Sequence, residues 1–271
     1  MPIVSDMIKR RELLYNLVAR NLKIRYKNSF LGFFWTLLHP LFMIIIYMLF
    51  IGIMRFPMDL PYLITGVIPW HFLNMCIGDA INVVEGNSTL IKKTSFPRLI
   101  LPLSTLSANT INLLLSLLVV GLLIPVITKV SAVLGDYHFN LGYLFPAITL
   151  HVLLVSGLSL IVAVTNVYFK DTEHIISVIL MAWFFMTPII YPLAMIQNIQ
   201  NNVTSVFKQF LLQIYYLNPM LLVVGLYRKA FLGIPIPWNI FTFYSIILTV
   251  IIFSVGLLAF NRKAPCFADE M

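Results

Sequence analysis

The sequence predicts an all-α integral membrane protein with six transmembrane helices, an N-terminal amphipathic interface helix and two short re-entrant helices between spans 5 and 6. Three observations carry this. Of 271 residues, 60% are hydrophobic and 10% charged, with a mean hydropathy of +0.94, whereas soluble chains carry about 25% charged residues. Six apolar stretches reach the ~20 residues needed to cross a hydrocarbon core ~30 Å thick. The basic residues are unevenly placed along the chain, as the flanks of membrane spans are.

The first element is the segment 1–32. Leu13, Leu14, Leu17, Val18 and Leu22 recur at helical spacing, while Arg20, Lys23 and Lys27 project elsewhere. That pattern suits a helix lying in the inner headgroup layer. The membrane domain, 33–271, then carries spans at about 33–54, 62–84, 99–127, 141–168, 174–192 and 240–260. The first of these is too long for the ~7 to 15 apolar residues of a signal peptide. Between spans 5 and 6, the stretches 207–216 and 219–232 are apolar but too short to cross, and Asn218, Pro219, Pro235 and Pro237 interrupt them. They read as re-entrant or interfacial helices.

Charge sets the orientation. With the N-terminus inside, the cytoplasmic segments hold Lys9, Arg10, Arg11, Arg20, Lys23, Arg25, Lys27, Lys92, Lys93, Arg98, Lys170, Arg262 and Lys263. The outer side holds Arg55, Lys129, Lys208, Arg228 and Lys229. Both termini are therefore expected to be cytoplasmic.

Residues that would support enzymatic chemistry are sparse. There is no Gly-Lys dipeptide for a phosphate loop and no HExxH, and Cys76 and Cys266 have no metal-ligand spacing. Asp79 is the one acid within the predicted spans, about a turn from the cytoplasmic end of the second, so it gives no chain of acids for proton coupling. Aromatic residues are plentiful, with 21 Phe, 12 Tyr and 4 Trp. Trp35, Trp70 and Trp238 fit interfacial belts, whereas Tyr47, Trp183, Phe184 and Phe185 fall inside spans. There they either pack or offer flat faces to the C–H faces of sugar rings. The loop 84–92, VEGNSTLIK, reads as a short surface helix with Asn87 or Ser88 as its cap. It would serve as a dock for a soluble partner, which a transport protein without its own nucleotide site needs.

Residues 20–41, RNLKIRYKNSFLGFFWTLLHPL, are more specific, as are TLIKKTSFPRLILPL at 89–103 and NVYFKDTEHI at 166–175. With TPIIYP at 187–192 and the pair Asn218 and Pro219, they resemble the permease subunit of ABC-2-type polysaccharide exporters. That family exports O-antigen, teichoic acid or capsule chains from bacteria, and the motifs cover nearly the whole chain in order. The resemblance implies a homodimer with two ATP-binding subunits beneath it. Glu85, Gly86, Asn87, Ser88, Leu90, Ile91, Lys92 and Lys93 become the ATPase-coupling helix. Trp35, Tyr47, Trp183, Phe184 and Tyr191 become channel aromatics. Two departures stand out: the family often has Asp where Asn21 stands and Arg where Lys170 stands.

The expected function is a channel-forming permease in the bacterial inner membrane, moving lipid-linked polysaccharide, O-antigen first, outward. The chain itself would bind no cofactor, metal or nucleic acid, with ATP and Mg used by the partner subunit. Arg25 and Lys27, beside Tyr26 at the inner mouth, would attract the pyrophosphate of the lipid carrier, although inner-leaflet anchoring explains the same charges. The alternatives are an ABC-2 permease for teichoic acid, capsule or a small lipid or drug, and a membrane glycosyl- or phosphotransferase. The transferase needs an acid pair, for which Asp171 and Glu173 are the nearest candidates outside the tail.

Overall fold

The computed structural model describes residues 10–26, 34–54, 59–94, 96–130, 138–202, 206–268 and 270. All regular structure among them is helical. In chain order the helices are α1 (Arg11–Tyr26), α2 (Trp35–Met54), α3 (Leu60–Asn82), α4 (Ser88–Lys93) and α5 (Ile100–Val130). There follow α6 (Leu144–Tyr168), α7 (Thr172–Phe185), α8 (Leu193–Asn202), α9 (Val206–Ile214), α10 (Pro219–Leu232) and α11 (Ile240–Lys263). Among the described residues, four helical segments are long and apolar enough to cross a membrane: Leu60–Asn82, Ile100–Ile127, Leu141–Tyr168 and Ile240–Cys266.

These coincide with the second, third, fourth and sixth predicted spans. Helix α2 takes up the first with 20 residues. The fifth is shorter than its apolar run. Helix α7 has 14 residues, which at about 1.5 Å each make some 21 Å of a core ~30 Å thick. Its end has a local cause: Pro188 has no N–H to donate and disfavours helical geometry at Thr187. The chain turns there, with the Ile189 amide donating to the Thr187 carbonyl at 2.7 Å.

The core lies where α3, α6 and α10 meet, flanked by α5 and α11. Helix α10 is buried on nearly all sides, as a helix apolar all round must be. Asn218 caps it, its side-chain oxygen accepting from the Met220 amide at 3.0 Å, with Pro219 in the first turn. Gly233 ends it in the left-handed region at φ 71°. Elsewhere α6 and α11 touch through glycine. A Cβ on Gly157 would lie 2.6 Å from the Phe253 Cα, and one on Gly256 would lie 2.4 Å from the Gly157 carbonyl oxygen. Thr242, Ser245 and Thr249 continue the same small, buried stripe of α11, the usual means by which membrane helices approach closely.

A second apolar cluster sits at the other end of the bundle. Leu17 of α1, Val83 and Val84, Ile91 of α4, Leu99 to Leu101, Val164 and Val167 of α6, Phe260 and Phe267 pack together. The Phe260 and Phe267 rings meet edge to face at 5.3 Å. Arg98 fastens the same end by donating to the Ala264 carbonyl.

Candidate transport groove and coupling surface

A groove of about 800 Å³ opens between α2, α3 and α7. Its α3 wall is formed by Val67, Trp70, His71, Asn74, Ile77, Gly78 and Ile81, spaced by three and four residues so that they share one helical face. Its α7 wall repeats that spacing with Glu173, Ile176, Ser177, Leu180, Met181, Phe184 and Phe185, and α2 adds Met43, Ile46 and Tyr47. Aromatic rings gather at one end. Tyr47 and Phe184 stack at 5.6 Å with 24° between planes, and Trp70 meets Phe184 edge-on at 5.5 Å. Polar groups lie on the remainder of the walls, with His71 and Asn74 on α3 and Ser177 and Glu173 on α7.

Of the predicted channel aromatics, the groove brings together Tyr47 and Phe184. Trp183 stands one layer back, edge-on to Trp70 at 6.0 Å, with its indole N–H donating to the Asn218 side-chain oxygen at 2.9 Å. Tyr191 lies beyond the lining, its hydroxyl bonded to the Phe185 carbonyl at 3.0 Å and to the Tyr215 hydroxyl at 2.9 Å. Trp35 opens α2 at the end opposite Tyr47, is 48% exposed and takes no part in the groove. The sequence reading missed Trp70, assigned to a belt, and the polar residues His71, Asn74, Ser177 and Glu173. Their signal was present as helical spacing on two segments, but pairing those faces requires the tertiary fold.

The turn closing the aromatic end is held by side chains far away in sequence. The Asn218 amide donates to the Met186 carbonyl at 3.1 Å and the Thr187 hydroxyl at 3.0 Å. Arg228, counted as an outer flanking charge in sequence, is instead only 3% exposed. Its guanidinium lies 3.4 Å from the Tyr62 ring centroid, donates to the Tyr62 hydroxyl at 2.9 Å and reaches the Ile189 carbonyl at 3.3 Å. Tyr62 in turn accepts from the Leu193 amide at 3.0 Å. Gly66 leaves room for this, since a Cβ there would sit 3.0 Å from the guanidinium. A desolvated cation over an aromatic face is worth about 2 kcal/mol or more.

The predicted coupling segment forms a 3-10 turn, Glu85–Asn87, running into α4. Asn87 occupies the N-cap position without capping. Its amide donates instead to the Val83 carbonyl at 2.8 Å, while its oxygen accepts from Arg20 of α1 at 2.7 Å. Glu85 pairs with Lys170 in the α6–α7 connection. Ser88 and Leu90 are half-buried, and Ile91 is 4% exposed within the second apolar cluster. The outward face is therefore Gly86, Thr89, Lys92 and Lys93, with Ile91 acting as the peg beneath it. Helix α1 joins the same assembly, as Leu17 enters the cluster and the Asn21 amide donates to the Ser104 hydroxyl at 3.1 Å. Leu13, Leu14, Val18 and Leu22 are half-buried on that side, while Arg20 and Lys23 face out. Arg25 and Tyr26 end α1; their side chains, and Lys27 entirely, lie outside the described residues.

The groove's aromatic pair carries a measurable expectation. Tyr47→Ala with Phe184→Ala removes one stack worth about 0.5 to 1.5 kcal/mol beyond its burial. Phe184 also sits in the main core, where truncating a buried Phe to Ala costs about 3 to 5 kcal/mol, so the double variant should melt at a lower temperature in detergent, whereas Tyr47→Phe, which keeps the stack, should not.

Comparison with known proteins finds relatives over most of the chain. The chain is 33% identical over 235 residues to an O-antigen export system permease protein of Myxococcus xanthus, covering 84% of each chain. It is 32% identical over 267 residues to one of Klebsiella pneumoniae, covering 95% of this chain and 94% of that one. A polysialic acid transport protein of Escherichia coli is more distant, at 23% over 257 residues. Residues 12–232, from α1 through the end of α10, match the ABC-2 type transporter membrane family. A chain whose described residues form only helices, four of them of membrane length, and that export permeases match over 84% to 95% of its length, thus belongs to the ABC-2 type transporter family as a permease subunit.

Proposed function

We propose that this chain is the channel-forming subunit of an ATP-driven exporter that carries lipid-linked polysaccharide, most closely O-antigen, outward across the bacterial inner membrane. The observation that carries the reading is the groove: apolar walls with stacked aromatic rings at one end and hydrogen-bonding groups, the Glu173 carboxylate among them, along the rest suit a sliding glycan. Two export permeases at about a third identity over most of their length support the same cargo. The role is transport, and the chemistry of ATP with Mg belongs to the partner.

In this reading the six spans are α2, α3, α5, α6, α7 with the turn that follows it, and α11. Helices α9 and α10 re-enter from outside, both termini are cytoplasmic, and α1 lies along the inner surface. Two copies of the chain face each other across their grooves above two ATP-binding subunits. ATP binding moves those subunits against Gly86, Thr89, Lys92 and Lys93. Ile91 then passes the displacement into the cluster shared by α1, α6 and α11, shifting the bundle between two packed states. Arg25 and Lys27 hold the carrier's pyrophosphate at the inner mouth. Replacing both with Gln should lower export about tenfold at unchanged abundance, given ~1 kcal/mol per basic residue near an anionic surface; undiminished export would remove the lipid-binding role.

The test of the reading is co-purification with the cognate ATP-binding subunit, followed by ATPase measurement in lipid. A stable complex stimulated by lipid-linked polysaccharide supports it. A chain that takes no such partner and elongates or transfers the lipid-linked sugar itself contradicts it.

A further inference from the structure

The groove lining is electrically one-sided. Glu173 is the only Asp, Glu, Lys or Arg side chain facing it among the described residues. The neighbouring charges turn elsewhere. Lys170, three residues earlier, pairs with Glu85, Asp79 beside Gly78 accepts from Asn109 at 2.8 Å, and Arg228 is buried behind the outer wall against Tyr62 and Ile189. What remains with Glu173 are His71, Asn74 and Ser177, groups that exchange hydrogen bonds with hydroxyls.

Glu173 stands exposed in the first turn of α7, at the edge of the apolar walls, where its carboxylate repels a passing anion with only partial screening by water. A carrier pyrophosphate meets that repulsion once per chain, whereas a polymer with a carboxylate or phosphate on each unit meets it at every step. On the exporter reading above, we infer that the groove selects electroneutral glycans and that Glu173 is the specificity-determining residue that rejects polyanionic ones. Polysialic acid, carried in the name of the more distant relative, is chemically such a polyanion.

The test uses the full complex with its ATP-binding subunit in sealed vesicles, offered a neutral galactan and a polysialic acid of equal length on the same lipid pyrophosphate. The readout is the ratio of the two transport rates, which protein abundance does not affect. The wild-type complex should favour the galactan by about tenfold or more. Glu173→Gln should bring the ratio close to one, Glu173→Lys should invert it, and Glu173→Asp should keep it. Equal rates in the wild type, or a ratio unmoved by Glu173→Gln, overturn the selectivity while leaving the exporter reading intact. Transport of neither polymer overturns both.

Discussion

Replacing Gly157 with Val should remove most of the folded protein from the membrane. Helices α6 and α11 come within backbone contact there: even a single Cβ would be 2.6 Å from the Phe253 Cα and 2.8 Å from the Ile252 carbonyl carbon, and real Cβ atoms essentially never come within 3.0 Å. The obstructing atoms are backbone, so no rotamer change relieves the overlap, and the two helices would have to separate. Among the described residues they form the most extensive helix pair, so separation strips contacts along both. Overpacking of this kind costs about 3 kcal/mol or more, comparable with much of a domain's net stability. Gly256→Val should act alike, because its Cβ would meet the Gly157 carbonyl at 2.4 Å. Gly52→Val, where nothing lies within 4 Å, is the control. Size-exclusion profiles and thermal melts in detergent check it, and a monodisperse Gly157→Val protein with wild-type melting would contradict the packing described.

The second large effect is on coupling. Lys92→Glu with Lys93→Glu reverses the charge of the outward face of α4 without touching the peg beneath. Both side chains are exposed and end a helix whose inner residue, Ile91, is 4% exposed. On the docking reading the basic face meets a complementary surface of the partner, where reversing it would cost several kcal/mol, so polymer-dependent ATPase and export should fall tenfold or more. The permease's own melting temperature should not change. Ile91→Asp should do the reverse and destabilise the chain, because it buries a carboxylate with no partner. If both variants behave alike, the division of this segment into a docking face and an anchored face is wrong.

That division shows what the sequence could and could not disclose. Helices of membrane length were legible because a bilayer demands ~20 apolar residues, a one-dimensional property. Starts and ends agree within a few residues for four helices of membrane length. The fifth ran too long because residues 186–192 are apolar enough to continue, and Pro188 overrides hydropathy. Helix α8, LAMIQNIQNN, went unread because ten residues are too short for a span, although Leu193, Ile196 and Ile199 share one helical face.

In the candidate site, α4 was visible as a cap-like Asn87 before a short mixed run, but not the inward turn of Ile91. That depends on Leu17 and Phe267, residues 74 and 176 positions away. Tyr47 and Phe184 were named from their places within spans and do stack. Trp35, read first as an interfacial belt residue, and Tyr191 were named channel aromatics only by the resemblance, and one stands at the far end of α2 while the other is bonded to Tyr215 behind the groove. Arg228 was the plainest miss. Position relative to apolar runs marked it as a flank, and only the fold shows that Tyr62, Ile189 and Gly66 make a chamber for it.

The central claim is that this chain conducts a lipid-linked glycan. Its most direct test is ATP-dependent transfer into sealed inside-out vesicles containing only the purified permease, its ATP-binding subunit and a lipid-pyrophosphate-linked neutral glycan, with protection of the glycan from an added glycosidase as the signal. Protection that requires ATP and both subunits is the predicted result. Protection that is absent, or equal in vesicles lacking this chain, would contradict the account.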